Sequence, residues 1–419
     1  MQNAYQYWRA AHPLLFITIH LLLGIIIARE YLIDSCIRIN FIPIVILLFE
    51  LLLLIRLNKS NKYPFSKGIV VFLCLVSWGV ILQCSAVYNL GFTMPNFIDQ
   101  FILHCSNGFI EKINKTIISK EANGFALALL IGVKMDMNKA LVNAYTQLGI
   151  IHIIAISGMH LDILFKSLTK ITNQLPKKRM YQILEITIIL LLVWTYTLMA
   201  NASPSIVRAS VFFSIFIIGK FYEISSFTLN SIAGGILLLL LMNIKGIEHI
   251  GLQLSYAAVI GIHLFYKIFY TSIDIQNPLI RFLWGNCCIS LAAQLTTFPI
   301  IVLHFHQVAS WVLISNFIMV PLSTIILYGL LVLLILPVSI ATYWGIVMEQ
   351  YILFFNGLVY RWFVSTKAGT IHFSMNVVQV SLYYVLLLLL YLWIYQKKGT
   401  YLIAILSVFT GLALIKLFS

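Results

Sequence analysis

Charge is what this sequence has least of. Only 10% of its 419 residues are Asp, Glu, Lys or Arg, while 61% are hydrophobic, against about 25% and 45–50% in soluble domains. The scarcity excludes an ordinary soluble enzyme or binding domain, because no polar stretch between the apolar runs is long enough to build one. Cysteines are few: Cys36, Cys74, Cys84, Cys105, Cys287 and Cys288 contain no CxxC pair, which argues against a thiolate zinc or dithiol redox site and leaves them as small buried residues. No internal repeat, charge run or low-complexity linker divides the chain.

What remains is a succession of apolar runs long enough to cross a bilayer, each about 17–25 residues. Thirteen candidate spans are at 14–28, 41–57, 69–88, 148–168, 181–200, 204–218, 226–242, 252–269, 283–303, 311–336, 343–363, 376–395 and 401–417. The expected fold is an all-α polytopic integral membrane protein with about 11–13 transmembrane helices, some of them re-entrant or broken. The first run is read as a retained span, since no small-residue cleavage site follows it.

The net charge of +14 is explained mainly by basic loops, which mark the cytoplasmic side. Arg56, Lys59, Lys62 and Lys67 form one, and Lys166, Lys170, Lys177, Lys178 and Arg179 another. With the N-terminus inside, both fall inside and residues 97–143 fall outside. Arg361 and Lys367 then land outside, against the rule. The partition expected is 1–95 as anchoring spans, 96–122 as an amphipathic linker, 123–395 as a membrane domain and 396–419 as a last span. In the linker, Ile102, Cys105, Phe109, Ile113 and Ile117 recur at helical spacing, which fits a helix in the outer interface or a packed linker. The "ANGFALALLIGV" that follows is too short to span and suits a half-helix lining a protein or water cavity.

Polar groups inside apolar runs are expensive and mark function. The stretch "HIIAISGMHLDI" holds His152, Ser157, Gly158, His160 and Asp162. A triad of Ser157, His160 and Asp162 is unfavourable on one helix, because residues two apart do not face one another. His152, Ser157 and His160 can line a common surface, with Gly158 admitting a close neighbour; helix–helix hydrogen bonding is the alternative. In "NASPSIVRAS" Pro204 opens a helix, Ser203 and Ser205 are placed to bond its free N–H groups, and Arg208 follows one turn in. That is a candidate anion site, or an arginine snorkelling to headgroups. Gln253 and Ser255 in "GLQLSYAAVIG" and Gln294 in "LAAQLTTFP" complete the polar set, as lining or as interhelical contacts.

These four motifs, with "HFHQVASWVLISNFIMVPL" after the last, resemble in order and spacing the membrane domain of the ComEC competence family over about residues 123–395. The resemblance implies an inner-membrane channel that admits single-stranded DNA during natural transformation. It also implies a periplasmic DNA receptor and a cytoplasmic helicase-like motor as partners, beside membrane lipid, and leaves a homo-oligomer open. The family's OB-like domain has too little room between Asn89 and Lys120, and no HxHxDH cluster marks its metallo-β-lactamase-like domain. The chain then reads as a minimal channel, a degenerate paralogue or part of a split system. No enzyme activity, cofactor or metal is expected. The DNA path is assigned to His152, Ser157, Gly158, His160, Arg208, Gln253, Ser255 and Gln294, with Arg208 attracting phosphates. Two rivals are a secondary transporter or channel for a small anionic solute, which lacks the expected inverted repeat of polar motifs, and an intramembrane hydrolase, which lacks an acid for Ser157 and His160.

Overall fold

The computed structural model describes residues 13–32, 71, 73–80, 96–133, 138–154, 158–172, 179–221, 229–242, 249–366 and 369–418. The expected span at 41–57 and most of that at 69–88 lie outside them. Among the described residues, beside a helical stretch at 73–80, the helices are in order α1 (Pro13–Leu32), α2 (Asn96–Thr116), α3 (Lys120–Ile131), α4 (Lys139–Gln147), α5 (Ile151–Ile154), α6 (Gly158–Thr172), α7 (Arg179–Met199), α8 (Pro204–Phe221), α9 (Leu229–Met242), α10 (Ile250–Tyr270), α11 (Pro278–Phe305), α12 (Val312–Ile335), α13 (Val338–Thr366), α14 (Val377–Gln396) and α15 (Gly399–Phe418). The strands are β1 (Gln307–Ala309) and β2 (Thr370–His372). Among the described residues, α7, α10, α11, α12, α13 and α14 are long and apolar enough to cross a membrane. Shorter apolar stretches lie within α1, α8, α9 and α15. The architecture is all-α and polytopic.

The chain divides into two compact units, residues 1–99, 169–192 and 208–249 in one and residues 100–168, 193–207 and 250–419 in the other. In the first unit α1 packs on α9, where Thr18 donates its hydroxyl to the carbonyl of Ala233 at 3.1 Å. Gly24 meets the helical stretch 73–80 so closely that a Cβ there would collide with the Val76 carbonyl. Glycine on both sides, Gly24 and Gly79, is what lets the backbones touch.

The second unit is built on the antiparallel pair α12 and α13 and on α3. Past Glu121, α3 has no charge and is buried on every side, with Phe125, Leu129 and Leu130 packed among Ile113, Ile117, Ile326, Leu330, Ile352 and Phe355. An all-apolar helix of only 12 residues is a core helix. Gly132 at φ 81° ends it in a left-handed cap. The short helix expected from "ANGFALALLIGV" is therefore present and enclosed by protein. Lys112 of α2 donates to the carbonyls of Leu334 (2.7 Å) and Leu336 (2.6 Å), the open C-terminus of α12. A cation there is favoured by the helix dipole.

That contact corrects the expected topology. Residues 97–143 and the loops following α11 and α13 cannot all be outside. Lys112 stands at the C-terminal end of α12, whereas β1 pairs antiparallel with β2, Gln307 opposite His372, at the N-terminal end. Ser315 donates to the Leu148 carbonyl at 2.6 Å. Between Lys112 and Leu148 the chain thus travels the length of α12, and about 20 residues of helix span about 30 Å, a hydrocarbon thickness. Hydropathy does not register this passage, because α3 and α4 are short pieces enclosed by protein. Of the described basic residues, Arg361 belongs to the β1–β2 end, and Lys112, Lys267, Arg281, Lys397 and Lys398 to the other. Lys367 lies outside the described residues.

The span expected at 148–168 starts later than expected. Gly149 at φ 75° turns the chain after α4, α5 follows, and α6 begins at Gly158.

Candidate functional site

Of the expected path residues, Ser157 lies outside the described residues. His152 is exposed on α5, while His160 on α6 is 1% exposed. Residues 155–157, between the two histidines, lie outside the described residues. Gly158, half-buried, is the first residue of α6. Asp162 accepts from Lys166 at 2.6 Å, one turn on, so its carboxylate is already engaged by a cation.

Arg208 is 6% exposed on α8. Ser203 does not cap that helix with its hydroxyl as expected: its backbone carbonyl accepts from Ile206 and Val207 at 3.0 Å, and its Oγ is buried with no hydrogen bond among the described residues.

Gln253 and Ser255 on α10 and Gln294 on α11 are half-buried. The two helices form a tight antiparallel hairpin. Thr296 donates to the Ala257 carbonyl at 2.7 Å, and a Cβ on Gly261 would strike Thr296 and the Ala292 carbonyl. This register sets Gln294 level with Val259, so it lies about 6–9 Å along the axis from Gln253 and Ser255. The three do not share one level. Thr296, grouped with them in the sequence, is an interhelical contact. Pro299 interrupts α11 and frees the Leu295 carbonyl, and Tyr383 of α14 donates to that oxygen at 3.1 Å, with Tyr384 on the Thr296 carbonyl at 2.8 Å.

Sequence reasoning missed a buried polar chain in the second unit. Tyr145 donates to Asn356 Oδ1 at 2.9 Å, and Asn356 donates to Glu121 Oε1 at 2.9 Å. Tyr145 and Asn356 are buried, with the rings of Phe125 and Phe355 beside the phenol. The signal was available, since Asn356 is an amide between apolar runs of a spanning helix. Glu349 of α13 accepts from the Ile118 amide at 2.7 Å, just before the start of α3.

The β1–β2 end gathers aromatic and basic groups. Trp311 and Trp362 meet edge to face with centroids 6.3 Å apart, Phe298 packs near Phe373 at 6.4 Å, and His304, His306, Arg361 and His372 are exposed. Among the described residues no group of three or more His, Cys, Asp or Glu could hold a metal ion.

The spanning helices and the short helices enclosed among them define a polytopic membrane protein. Comparison with known sequences agrees with that class: the family described as Competence protein matches residues 129–397, well over half of the chain. The chain belongs to the Competence protein family. It is similar to ComE operon protein 3 of Bacillus subtilis (strain 168), 29% identical over 257 residues, which are 61% of this chain and 30% of that protein. The match therefore spans less than a third of that relative's length. No solved structure matches. With its spanning helices, this membership makes the protein a multi-pass protein of the bacterial inner membrane.

Proposed function

We infer that the chain forms an inner-membrane channel through which single-stranded DNA enters during competence. The observation that carries this reading is the family match, which covers α4 to α14 whole and the last turn of α3. A strand carries a phosphate at every nucleotide and needs fixed positive charge along its route. Arg208 is our candidate for that charge, and its burial counts against the alternative of snorkelling to headgroups. His152, Ser157, Gly158, His160, Gln253, Ser255 and Gln294 remain the proposed polar set near the route. A DNA receptor outside and a motor inside are the partners this reading calls for.

The test is internalisation of radiolabelled DNA in a deletion strain complemented with variants, read against folded protein level. Arg208→Gln is expected to lower uptake about tenfold or more at normal protein level. Arg208→Lys retains part of it, because lysine keeps the charge but loses the planar fork. Undiminished uptake in the deletion strain itself would overturn the channel reading.

A further inference from the structure

We propose that the β1–β2 end of the second unit is a single-strand binding mouth, in which an exposed arginine, imidazole donors and aromatic rings on two segments hold phosphates and bases. The proposal rests on the channel reading and names a contact surface for it. The two segments are distant in sequence, and the strands bring them together. Gln307 stands opposite His372, the Phe373 amide donates to the His306 carbonyl at 3.1 Å, and the Ser310 amide to the Gly369 carbonyl at 3.2 Å. This sets His306 on the first segment beside His372 and Phe373 on the second. His304, His306, His372 and Arg361 are all exposed, as are Phe305 (49%) and Phe373 (39%). Residues 298–312 and 359–376 contain no Asp or Glu, so nothing on these segments opposes an anion.

Cationic and imidazole donors interleaved with exposed rings are the two components of single-strand recognition: charge tracks the backbone and rings stack on bases without regard to sequence. The placement adds to this. The end lies opposite Lys112 along the α12–α13 pair, so a strand travelling along that pair meets it on entering or leaving. An aromatic and basic rim can also serve a headgroup layer; single-stranded DNA is favoured because both segments lack acid and the paired backbone fixes their spacing.

The experiment uses the full chain in phosphatidylcholine nanodiscs, with a fluorescent oligothymidylate followed by anisotropy across a salt series. Arg361→Gln combined with His306→Gln and His372→Gln is expected to weaken binding about tenfold or more and to flatten the logarithmic salt slope by about 0.7 for each phosphate no longer neutralised. Phe305→Ala with Phe373→Ala is expected to weaken binding with little change of slope, since stacking releases no counterions. Unchanged thermal unfolding keeps either result from being a folding defect, and Arg361→Lys, with part of the affinity kept, serves where the triple variant does not fold. DNA binding equal to the parent in both the triple and the paired variant overturns the mouth. So does loss confined to binding of phosphatidylglycerol vesicles, which would make this a lipid rim. A parent that binds no oligonucleotide also overturns the mouth, and the deletion strain then judges the channel separately: abolished uptake leaves the channel standing, normal uptake removes both.

Discussion

Helices α3 and α14 are both apolar, and they use that apolarity in opposite ways. α3 has 12 residues, nine of them buried, enclosed by α12, α13 and the end of α2. α14 has 20 residues, with Val380 and Leu387 its buried ones; it packs Tyr383 and Tyr384 on α11 and exposes Val377, Val378, Val385 and Leu388. The difference teaches that hydropathy by itself reports apolar surface, not its partner. Length separates the cases: a helix too short to span must be enclosed, because its ends would leave backbone groups unsatisfied in lipid, while a spanning helix closes its own backbone ladder and can face lipid directly.

The comparison breaks most readily at the aromatic cluster. Phe125→Ala in α3 opens a cavity between Tyr145 and Phe355 and is expected to cost about 3–5 kcal/mol. Leu388→Ala on α14, at a side chain 56% exposed, is expected to stay within about 0.5 kcal/mol. Reversible unfolding in the same detergent checks both. Equal losses at the two sites would mean that α14 is covered in the membrane by another chain.

A smaller effect sharpens the contrast between enclosed and outward-facing polar groups. Asn356→Leu removes the acceptor of the buried Tyr145 hydroxyl, and leaving that donor unsatisfied is expected to cost about 1–3 kcal/mol. Adding Tyr145→Phe to Asn356→Leu is expected to recover part of the loss, because donor and acceptor then disappear together. A double-mutant cycle measures the coupling; strict additivity would show that the chain from Glu121 to Tyr145 contributes nothing as a unit.

How far the fold was legible follows from the same distinction. The spans at 252–269, 283–303, 311–336, 343–363 and 376–395 each fall on a helix, because lipid-facing or hairpin helices carry their length in sequence. The passage from Lys112 to Leu148 did not show, since it is made of short pieces whose partners are distant in the chain. The site was less legible still. Gly149, with its positive φ, begins a turn between α4 and α5 that no periodicity announces. Asn356 was passed over because single amides in apolar helices were weighed only inside recognised motifs. For the motif holding Thr296 the sequence left lining and interhelical contact open, and the structure gives Thr296 the second: its hydroxyl meets the Ala257 carbonyl.

The smallest expected effect tests the outward face of α2. Glu111 accepts from Lys115 one turn on at 2.8 Å, and both side chains are well exposed. The hydrogen bond and charge of Lys115 lower the Glu111 carboxyl below its ordinary range. A depressed folded-state value stabilises above the unfolded-state carboxylate range, and the contribution disappears as pH falls through the depressed value. Water screens an exposed pair of this kind, so little of that linkage survives as stability. Lys115→Ala is accordingly expected to unfold at the parent's midpoint at pH 7 and at pH 3 alike. A variant measurably weaker at pH 7 but not at pH 3 would show that this face of α2 is held away from water, against protein or lipid, and the region would then join α3 on the enclosed side of the comparison.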